Sequence, residues 1–364
     1  MKVKDITSAL EEWAPKSYQE SYDNCGLLVG DFNQSVDKVL ITLDVTEKVI
    51  DEAISKGDQI IIAHHPLIFK GLKKITTDHW VERCVTKAIK NDISIYAIHT
   101  NLDNVSNGVN AKIAEKLGLS KVRILAPNSG NLSKLVTFVP ESSADDVLNS
   151  LYKAGAGQVG EYVNCSFQVS GTGTFTPGSN ANPTVGKVGE QEFVNEKRIE
   201  VILPSHLETP MIHALKEAHP YEEVAYNMNS LSNMNQDVGS GQIGRLPSAM
   251  AFEEFVSHVK KSMNLQVVKH THPLEKMIET VAVCGGSGSF LLNHSIQQRA
   301  DAFISSDFKY HEFFEAENRI NILDIGNYES EVFTKELILD YLSQKFANIA
   351  FRLSGVNTNP ITFS

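Results

Sequence analysis

The feature that most constrains this sequence is an apolar run, residues 59–69, that contains two adjacent histidines followed by a proline. The run has the β-branched character of a buried strand, and Pro66 cannot donate a hydrogen bond to a sheet, so the strand should end there. Neighbouring side chains within a strand point to opposite faces. At a strand end the chain turns, and both His64 and His65 can then face the crevice where α/β proteins bind ligands. We therefore expect these imidazoles to ligate a metal, with simple hydrogen bonding at the strand end as the alternative.

The residues on either side of this run alternate between strand-like and helix-like patterns. Apolar residues predict strands at 38–44 and 94–99, and amphipathic spacing predicts helices at 46–56 and about 78–91. Strands that alternate with helices indicate an α/β fold with a largely parallel sheet.

A second strand end carries His99 and, four residues later, Asp103. If this strand lies beside the histidine strand, Asp103 reaches the same rim as His64 and His65. Asp103 has an alternative explanation, because Asp is common in turns and helix caps such as the segment between a strand and Gly108. We predict that Asp103 is a metal ligand. His99 is expected either to orient a ligand or to be a core histidine.

The pattern changes after about residue 130. Strands are predicted at 134–139, 162–169, 197–203 and 224–228, with helices at 144–154 and 207–218. This βαββαβ order is that of a ferredoxin-like domain. The polar residues 230–240 are predicted to form the return linker. We therefore expect three segments: 1–130 as the first half of a core, 131–238 as an inserted domain, and 239–364 as the second half.

Two motifs inside the insert allow a binding interpretation. Residues 172–178 are rich in Gly and Thr, but no lysine or helix start accompanies them as in a phosphate-binding loop, so a plain loop is predicted. His219 and Glu222 lie where a helix stops before a strand. Packing of Pro220 and Tyr221 at that helix end explains the segment without a ligand.

The C-terminal part of the chain supplies further strand ends. Residues 280–289 predict a buried strand that enters a glycine-rich turn at 285–288. Such a turn presents N–H groups to an anion at a helix start, although strand-to-helix turns use glycine in any case. Another strand is predicted at 302–307, and His311 lies on the helix that follows it.

The last clear strand, at 321–326, leads into a long predicted helix that begins near Asn327. Glu331 lies one helical turn beyond Asn327, so both side chains face the same way. A carboxylate in a first turn also complements the helix dipole. The spacing allows Glu331 to close a metal site from the far half of the chain.

Composition narrows the class of protein. The 364 residues suffice for two domains or for one large domain with an insertion. Lys and Arg number 33 against 44 Asp and Glu, a formal net charge of −11, which disfavours a general nucleic-acid binder. No run approaches the roughly 18 apolar residues of a membrane span, and the N-terminus lacks an apolar signal core. Four cysteines without CxxC pairing fit a reducing compartment, so a cytoplasmic protein is expected.

Five motifs, taken together and in order, resemble the NIF3 family, whose bacterial members are often labelled GTP cyclohydrolase 1 type 2 homologs. They are YDNCGLLVG at 22–30, AHHPLIF at 63–69, HTNLD at 99–103, AVCGGSG at 282–288 and DIGNYESE at 324–331. The insert resembles the PII/CutA-like domain of the longer members, and its segment His219–Pro220–Tyr221–Glu222 supports that resemblance. The implied fold is a NIF3-like core of two α/β halves with mostly parallel sheets, plus an inserted ferredoxin-like domain.

The resemblance also implies a dinuclear metal centre inside a toroidal homohexamer, with two divalent ions that would be Zn, Mn, Fe or Mg. The family's ligands map onto His64, His65, Asp103 and Glu331, with one imidazole for each metal and both carboxylates able to bridge. A histidine is expected where this chain has Asn327. An amide oxygen is a weaker donor than imidazole, so one metal position is expected to be weakly filled, completed by water, or selective for Mg²⁺ or Mn²⁺ over Zn²⁺.

Two functions are compatible with these motifs. The first is a metal-dependent hydrolase that acts on a nucleotide or another phosphate-bearing compound, because two bridged ions activate water and hold the oxygens of a displacement. Its catalytic groups are unassigned, with His99 and His311 as candidates for general acid or base. The alternative is a non-catalytic metal-binding regulatory or sensor protein that uses the insert. Binding of nucleic acid through the hole of the ring is disfavoured by the acidic balance.

Overall fold

The computed structural model describes residues 1–364, and the chain divides into two compact units. The first unit combines Met1–Pro127 with Asp237–Ser364, and the second is Asn128–Gln236. The second unit overlaps the insert predicted at 131–238. The assignment of 1–130, 131–238 and 239–364 as separate domains stays a prediction.

The helices and strands of the first unit come from both ends of the chain. Those of the N-terminal part are α1 (Val3–Trp13), β1 (Gly26–Val29), β2 (Lys38–Thr42), α2 (Glu47–Lys56), β3 (Ile60–Ala63), α3 (Trp80–Lys90), β4 (Ser94–Ala97), α4 (Thr100–Asp103), α5 (Val109–Lys116) and β5 (Ser120–Ser129). After the second unit, described below with β6–β9, α6 and α7, the C-terminal part has β10 (Met234–Met250), α8 (Phe252–Ser262), β11 (Lys269–His270), β12 (Ile278–Ser287), α9 (Leu292–Gln297), β13 (Ala302–Ser306), β14 (Asn321–Asp324), α10 (Asn327–Glu331), α11 (Thr334–Lys345) and β15 (Ala350–Leu353). Short 3₁₀ helices lie at Lys16–Tyr18, Glu141–Ser143, Ser205–Leu207, Ser289–Leu291 and Tyr310–Ala316.

The first sheet has the strand order β1-β4-β3-β2-β15. β2, β3, β4 and β15 run parallel, and β1 is an antiparallel edge strand beside β4. In this register Ile62 of β3 lies between Ile41 of β2 and Tyr96 of β4. The carboxyl ends of β2, β3 and β4 therefore meet at one edge of the sheet.

The second sheet has the strand order β11-β14-β13-β12-β10-β5. Its strands β12, β13 and β14 are parallel, while β10 and β11 pair antiparallel with β12 and β14. Both sheets pack into one hydrophobic core, to which the first contributes Ile62 and Tyr96 and the second Val283, Ile304 and Leu323. The mixed α/β class with mostly parallel strands is what the sequence predicted.

The second unit contains β6 (Leu132–Pro140), α6 (Ala144–Lys153), β7 (Phe167–Phe175), β8 (Glu192–Pro204), α7 (Glu208–Ala218) and β9 (Tyr226–Leu231). Its antiparallel sheet has the order β7-β8-β6-β9. Alternate residues of β8 join a core with both helices, including Ile199 and Val201. The intervening positions, such as Arg198 and Glu200, point to the opposite face, which neither helix covers.

Several predicted boundaries were wrong. The predicted linker 230–240 is largely strand, because β9 extends to Leu231 and β10 begins at Met234. The predicted strand 162–169 and loop 172–178 are replaced by β7, where pairing with β8 overrides the low strand propensity of Gly and Ser. The helix predicted after Asn327 is broken into α10 and α11. The helix predicted at 46–56 is confirmed as α2, which begins after Thr46, whose hydroxyl accepts a hydrogen bond from the Val49 N–H at 3.3 Å.

None of the helices combines the length and the apolar character that a membrane span requires. The four cysteines, Cys25, Cys84, Cys165 and Cys284, are all unpaired.

Candidate metal centre

Strands of the first sheet end in residues that bear metal-binding side chains. Asp44 follows β2, His64 and His65 follow β3, and His99 follows β4. The short helix α4 then places Asp103 at its end. Because these parallel strands share one carboxyl edge, the side chains converge as the sequence predicted for His64, His65 and Asp103.

The second sheet contributes Glu331 through the short helix α10. Gly286 has a φ of 62°, and a Cβ atom there would lie 2.5 Å from Glu331 Oε1, so only glycine leaves room for this carboxylate. The N–H of Gly286 donates to Ser330 Oγ at 3.0 Å, and that of Gly285 to Asn110 Oδ1 at 2.9 Å. Both N–H groups are therefore used within the protein, which favours the alternative that these glycines serve an ordinary strand-to-helix turn.

His64 has one ring nitrogen that is not hydrogen bonded. Its Nδ1–H donates to the Ile98 carbonyl at 2.8 Å, so in the neutral ring Nε2 carries a lone pair. Nε2 lies 3.6 Å from Asp103 Oδ1 and 3.7 Å from Glu331 Oε1, too far for hydrogen bonds. His64 Nε2 and Asp103 Oδ1 are both buried without a hydrogen-bond partner.

These unpaired atoms fit a divalent cation. A buried polar atom without a partner costs about 1–3 kcal/mol, so the arrangement is unfavourable unless something lies between the atoms. Two ligand atoms each about 2.1 Å from one ion, at a tetrahedral angle, are about 3.4 Å apart. The ligand atoms of His64, Asp103 and Glu331 all lie within 4.8 Å of one another. The donor set therefore matches the size and chemistry of a metal site.

His65 is held between two carboxylates. Its Nδ1 lies 2.7 Å from Asp44 Oδ1, and its Nε2 lies 2.8 Å from Glu331 Oε2. Burial by itself lowers the pKa of His65, but the charges of Glu331 and Asp44 outweigh it and raise the pKa to about 10. Without a metal the ring is an imidazolium, and it must lose a proton before it can serve as a ligand.

The pKa values of the two carboxylates of the centre are shifted in opposite directions. Burial and the neighbouring Glu331 charge raise the pKa of Asp103. Burial also acts to raise the pKa of Glu331, but His65 and His64 lower it overall to well below its usual range. Glu331 is thus ionised, and Asp103 is a carboxyl whose charge needs a further cation close by.

His99 belongs to a second cluster with His64 and His65, whose ligand atoms also lie within 4.8 Å of one another. Its Nδ1–H donates to Asp23 Oδ1 at 2.9 Å, which leaves Nε2 unprotonated in the neutral ring. Burial acts to raise the pKa of the Asp23 carboxyl, but hydrogen bonds from His99 and other donors lower it well below its usual range. Those donors include Cys25 Sγ at 3.1 Å.

The two remaining predicted site residues lie outside these clusters. The Asn327 side chain donates from Nδ2 to Asp307 Oδ2 at 2.9 Å, so its Oδ1 is the atom left to act as a ligand. His311 is exposed on the 3₁₀ helix Tyr310–Ala316, where its ring contacts Tyr310 at a centroid distance of 5.2 Å.

Sequence reasoning missed the acidic partners of the histidines. Asp44 lies two residues after the end of β2, at the same carboxyl edge as His64, so the strand-end argument could have found it. Asp23 lies in a turn before β1, and its contact with His99 links residues 76 positions apart. No local pattern predicts that contact.

Comparison with known proteins identifies relatives along the whole chain. The family model Duf34/NIF3 (NGG1p interacting factor 3) matches residues 1–360. Proteins named GTP cyclohydrolase 1 type 2 homolog from Halalkalibacterium halodurans and Bacillus subtilis are 40% and 38% identical, covering 98% and 99% of this chain and 98% of each relative. A crystal structure of a Bacillus cereus protein related to NIF3 superposes with a TM-score of 0.89 at 39% identity, covering 100% of this chain and 99% of that one. The chain therefore belongs to the Duf34/NIF3 family.

Proposed function

We propose that this protein is a metal-dependent hydrolase with two divalent ions at the centre formed by His64, His65, Asp103 and Glu331. The observation that carries the proposal is the buried Nε2 of His64. Its lone pair is fixed by the Ile98 carbonyl, and it faces the unpaired Asp103 Oδ1. Pairs of ions held by bridging carboxylates activate water and stabilise both oxygens of a displacement.

Each ligand has a distinct place in this proposal. His64, Asp103 and Glu331 Oε1 would hold the first ion. His65 and Glu331 Oε2 would hold the second, with the Asn327 amide oxygen in place of the family's histidine. This mixture of nitrogen and oxygen donors suits Zn, Mn or Fe, and the amide favours Mn or Mg at the second position.

His99 is the proposed general acid or base. Asp23 accepts the Nδ1–H of His99, fixing the tautomer so that Nε2 is the atom that takes up or releases a proton. An acidic partner that orients an imidazole in this way is common in hydrolases. His311, the other candidate, has no such orienting carboxylate among its described contacts, which are with aromatic rings.

The proposed substrate is a nucleotide or another phosphate-bearing compound. Phosphate oxygens are suited to a pair of metal ions. The related proteins of Halalkalibacterium halodurans and Bacillus subtilis are named for homology to GTP cyclohydrolase 1 type 2, which fits a nucleotide substrate. The turn at residues 285–288 adds no support, because Gly285 and Gly286 use their N–H groups internally.

The test begins with metal content, measured on protein purified without chelators, and continues with hydrolysis assays on p-nitrophenyl phosphate, bis-p-nitrophenyl phosphate and GTP. Asp103→Asn should lower metal affinity more than about 100-fold and abolish turnover, because it removes a charged ligand. His99→Gln should abolish turnover while metal remains bound, whereas His311→Gln should leave turnover unchanged. Full turnover by metal-free Asp103→Asn would end the proposal.

A second candidate function is that of a non-catalytic metal-binding regulator or sensor. It is favoured by the Asn327 amide, whose nitrogen is already committed to Asp307. We propose that in this case residues 131–238 act as a PII/CutA-like sensor domain. Stabilisation by metals and nucleotides in thermal-shift assays, with no turnover of any substrate, would support this function over the first.

The assembly and location are part of the same proposal. We propose a toroidal homohexamer in the cytoplasm, with the unpaired cysteines as the observation that fits a reducing compartment. Light scattering coupled to size-exclusion chromatography should give about six times the 40.2 kDa chain mass. A monomer or dimer would contradict the hexamer.

A further inference from the structure

The sheet of the second unit carries a cavity of about 720 Å³ on the face that its two helices leave uncovered. β7 crosses this face at Gly171 and Gly173, which share it with Glu196 of β8. A Cβ atom at Gly171 would meet no atom within 4 Å, whereas one at Gly173 would collide with the Glu196 carboxylate. Glycine inside a strand often marks a place where a ligand approaches the backbone closely. The floor of the cavity is therefore open above Gly171, whereas the Glu196 carboxylate lies over Gly173.

The segment between β7 and β8 covers this floor and is tied down on its far side. The N–H of Asn182 donates to Glu222 Oε1 at 2.8 Å, and the Thr184 hydroxyl donates to the Pro220 carbonyl at 2.8 Å. Both acceptors belong to the turn after α7. The cavity is therefore bordered by segments that are hydrogen bonded to each other, and its volume lies in the usual range for small-molecule sites.

His219 holds that turn in place. Its Nε2–H donates to the Phe138 carbonyl at 2.9 Å, and its Nδ1 accepts the Tyr221 N–H at 3.1 Å. These bonds position the Tyr221 ring, which lies 6.0 Å from the Phe175 ring, centroid to centroid. The structural interpretation of His219 from the sequence agrees with these contacts, and the histidine holds Tyr221, which with Phe175 forms an aromatic wall of the cavity.

Glu196 is the buried charge of this cavity. It is only 8% exposed, and the Tyr221 hydroxyl donates to its Oε1 at 3.0 Å. A carboxylate has about four acceptor positions, so one hydroxyl leaves most of them open. The one arginine of the lining, Arg198, is exposed and pairs with Glu200 at 2.7 Å. A carboxylate among apolar walls is stabilised by a cation that enters the same space.

We propose that this cavity binds a small organic ammonium ion, a protonated amine on an aromatic or other apolar body. The amine donates to Glu196 and contacts the faces of Tyr221 and Phe175, which attract cations. The apolar body fills the open space above Gly171. This site lies wholly within residues 128–236 and does not depend on the proposed hydrolase activity.

The test uses two probes with the same ring and linker and opposite charge, 2-phenylethylamine and 3-phenylpropionate. Binding to the full-length protein is measured by saturation-transfer NMR and calorimetry. The amine should bind and the acid should not. Glu196→Gln keeps the side-chain shape but removes its charge, and should weaken amine binding about tenfold or more. Gly171→Val fills the open floor without a clash in the strand, and should abolish binding.

Glu217→Gln is the matched control, because Glu217 is exposed on α7, on the helix-covered side of the sheet, and does not line the cavity. Its amine affinity should equal that of the unmodified protein, and thermal unfolding should show that every variant is folded. Binding of neither probe would overturn the proposal. So would equal binding of both probes, or an unchanged amine affinity in Glu196→Gln.

Discussion

The metal centre of the first unit and the cavity of the second are built in opposite ways. At the centre, His65 and Glu331 meet although 266 positions separate them. In the cavity, Glu196 and Tyr221 are 25 positions apart. The centre concentrates carboxylates and imidazoles with little apolar surface between them. The cavity has one buried carboxylate, Glu196, beside aromatic and aliphatic walls, and its other two carboxylates, Glu222 and Glu223, are exposed.

This difference shows what each site requires of a ligand. At the centre, buried His64 Nε2 and Asp103 Oδ1 lie 3.6 Å apart with no hydrogen bond between them, so a compact divalent ion satisfies both. In the cavity, Glu196 already has one donor and the remaining space is large, so a bulkier monovalent cation fits. The two sites should therefore respond independently to mutation.

The largest effect is expected for Glu331→Gln, since both carboxylate oxygens of Glu331 face histidines. Metal affinity should fall more than about 100-fold, while amine binding by the second unit stays unchanged. Calorimetric titration with Mn²⁺ and with 2-phenylethylamine measures both. Glu329→Gln on the same short helix is the control and should keep the metal. Loss of amine binding in Glu331→Gln would contradict the expectation that the two sites respond independently to mutation.

A strong pH dependence is expected at the centre. The pKa of His65 is raised to about 10, so the ring is protonated at neutral pH and metal must displace that proton. Affinity for the ion held by His65 should then rise up to about tenfold per pH unit and level off above about pH 10, with one proton released from His65 when that ion binds. The carboxyl of Asp103, whose pKa is also raised, should release a proton to the ion that it binds. Titrations between pH 6.5 and 8.5, in buffers of different ionisation enthalpy, measure both quantities.

A control for this pH dependence is His258→Asn, because His258 donates to the Leu117 carbonyl and lies outside both clusters. That variant should keep the same slope. An affinity that does not change with pH would show that His65 binds no metal.

An intermediate effect is expected for Asn327→His, which restores the residue of the family pattern. An imidazole N–H can keep the hydrogen bond to Asp307 while the other nitrogen faces the centre. Zn²⁺ affinity should rise about tenfold relative to Mn²⁺, because imidazole is the softer donor. Competition titrations of the two metals measure this ratio, and an unchanged ratio would show that residue 327 does not reach the ion.

The smallest effect is expected for Tyr221→Phe, which removes the hydroxyl donor from Glu196. The free energy of unfolding of the second unit should fall by about 1 kcal/mol, which is the typical net contribution of one hydrogen bond to stability. Urea unfolding, followed by tyrosine fluorescence and circular dichroism, measures the change. Metal content should match that of the unmodified protein, and a lower content would mean that the two sites are coupled.

Local patterns predicted much of the fold because hydrophobic periodicity can be recognised within short stretches of sequence. Such stretches predicted the helix that begins after Thr46 and the buried strand before His64. Polar strands are harder to predict from sequence. The position of β7 was predicted wrongly because Gly171 and Gly173 have low strand propensity. Its pairing with β8 is a long-range contact that composition does not reveal.

The sequence by itself determined which side chains stand at strand ends, and hence that His64, His65 and Asp103 share one edge. Only the tertiary structure decided that β14 and α10 bring Glu331 to the same place, and that the Ile98 carbonyl fixes the His64 tautomer. It also decided that Asp44 and Asp23 orient the other imidazoles. The physical reason is that strand periodicity is local, whereas the distance between two charged atoms depends on how separate sheets pack.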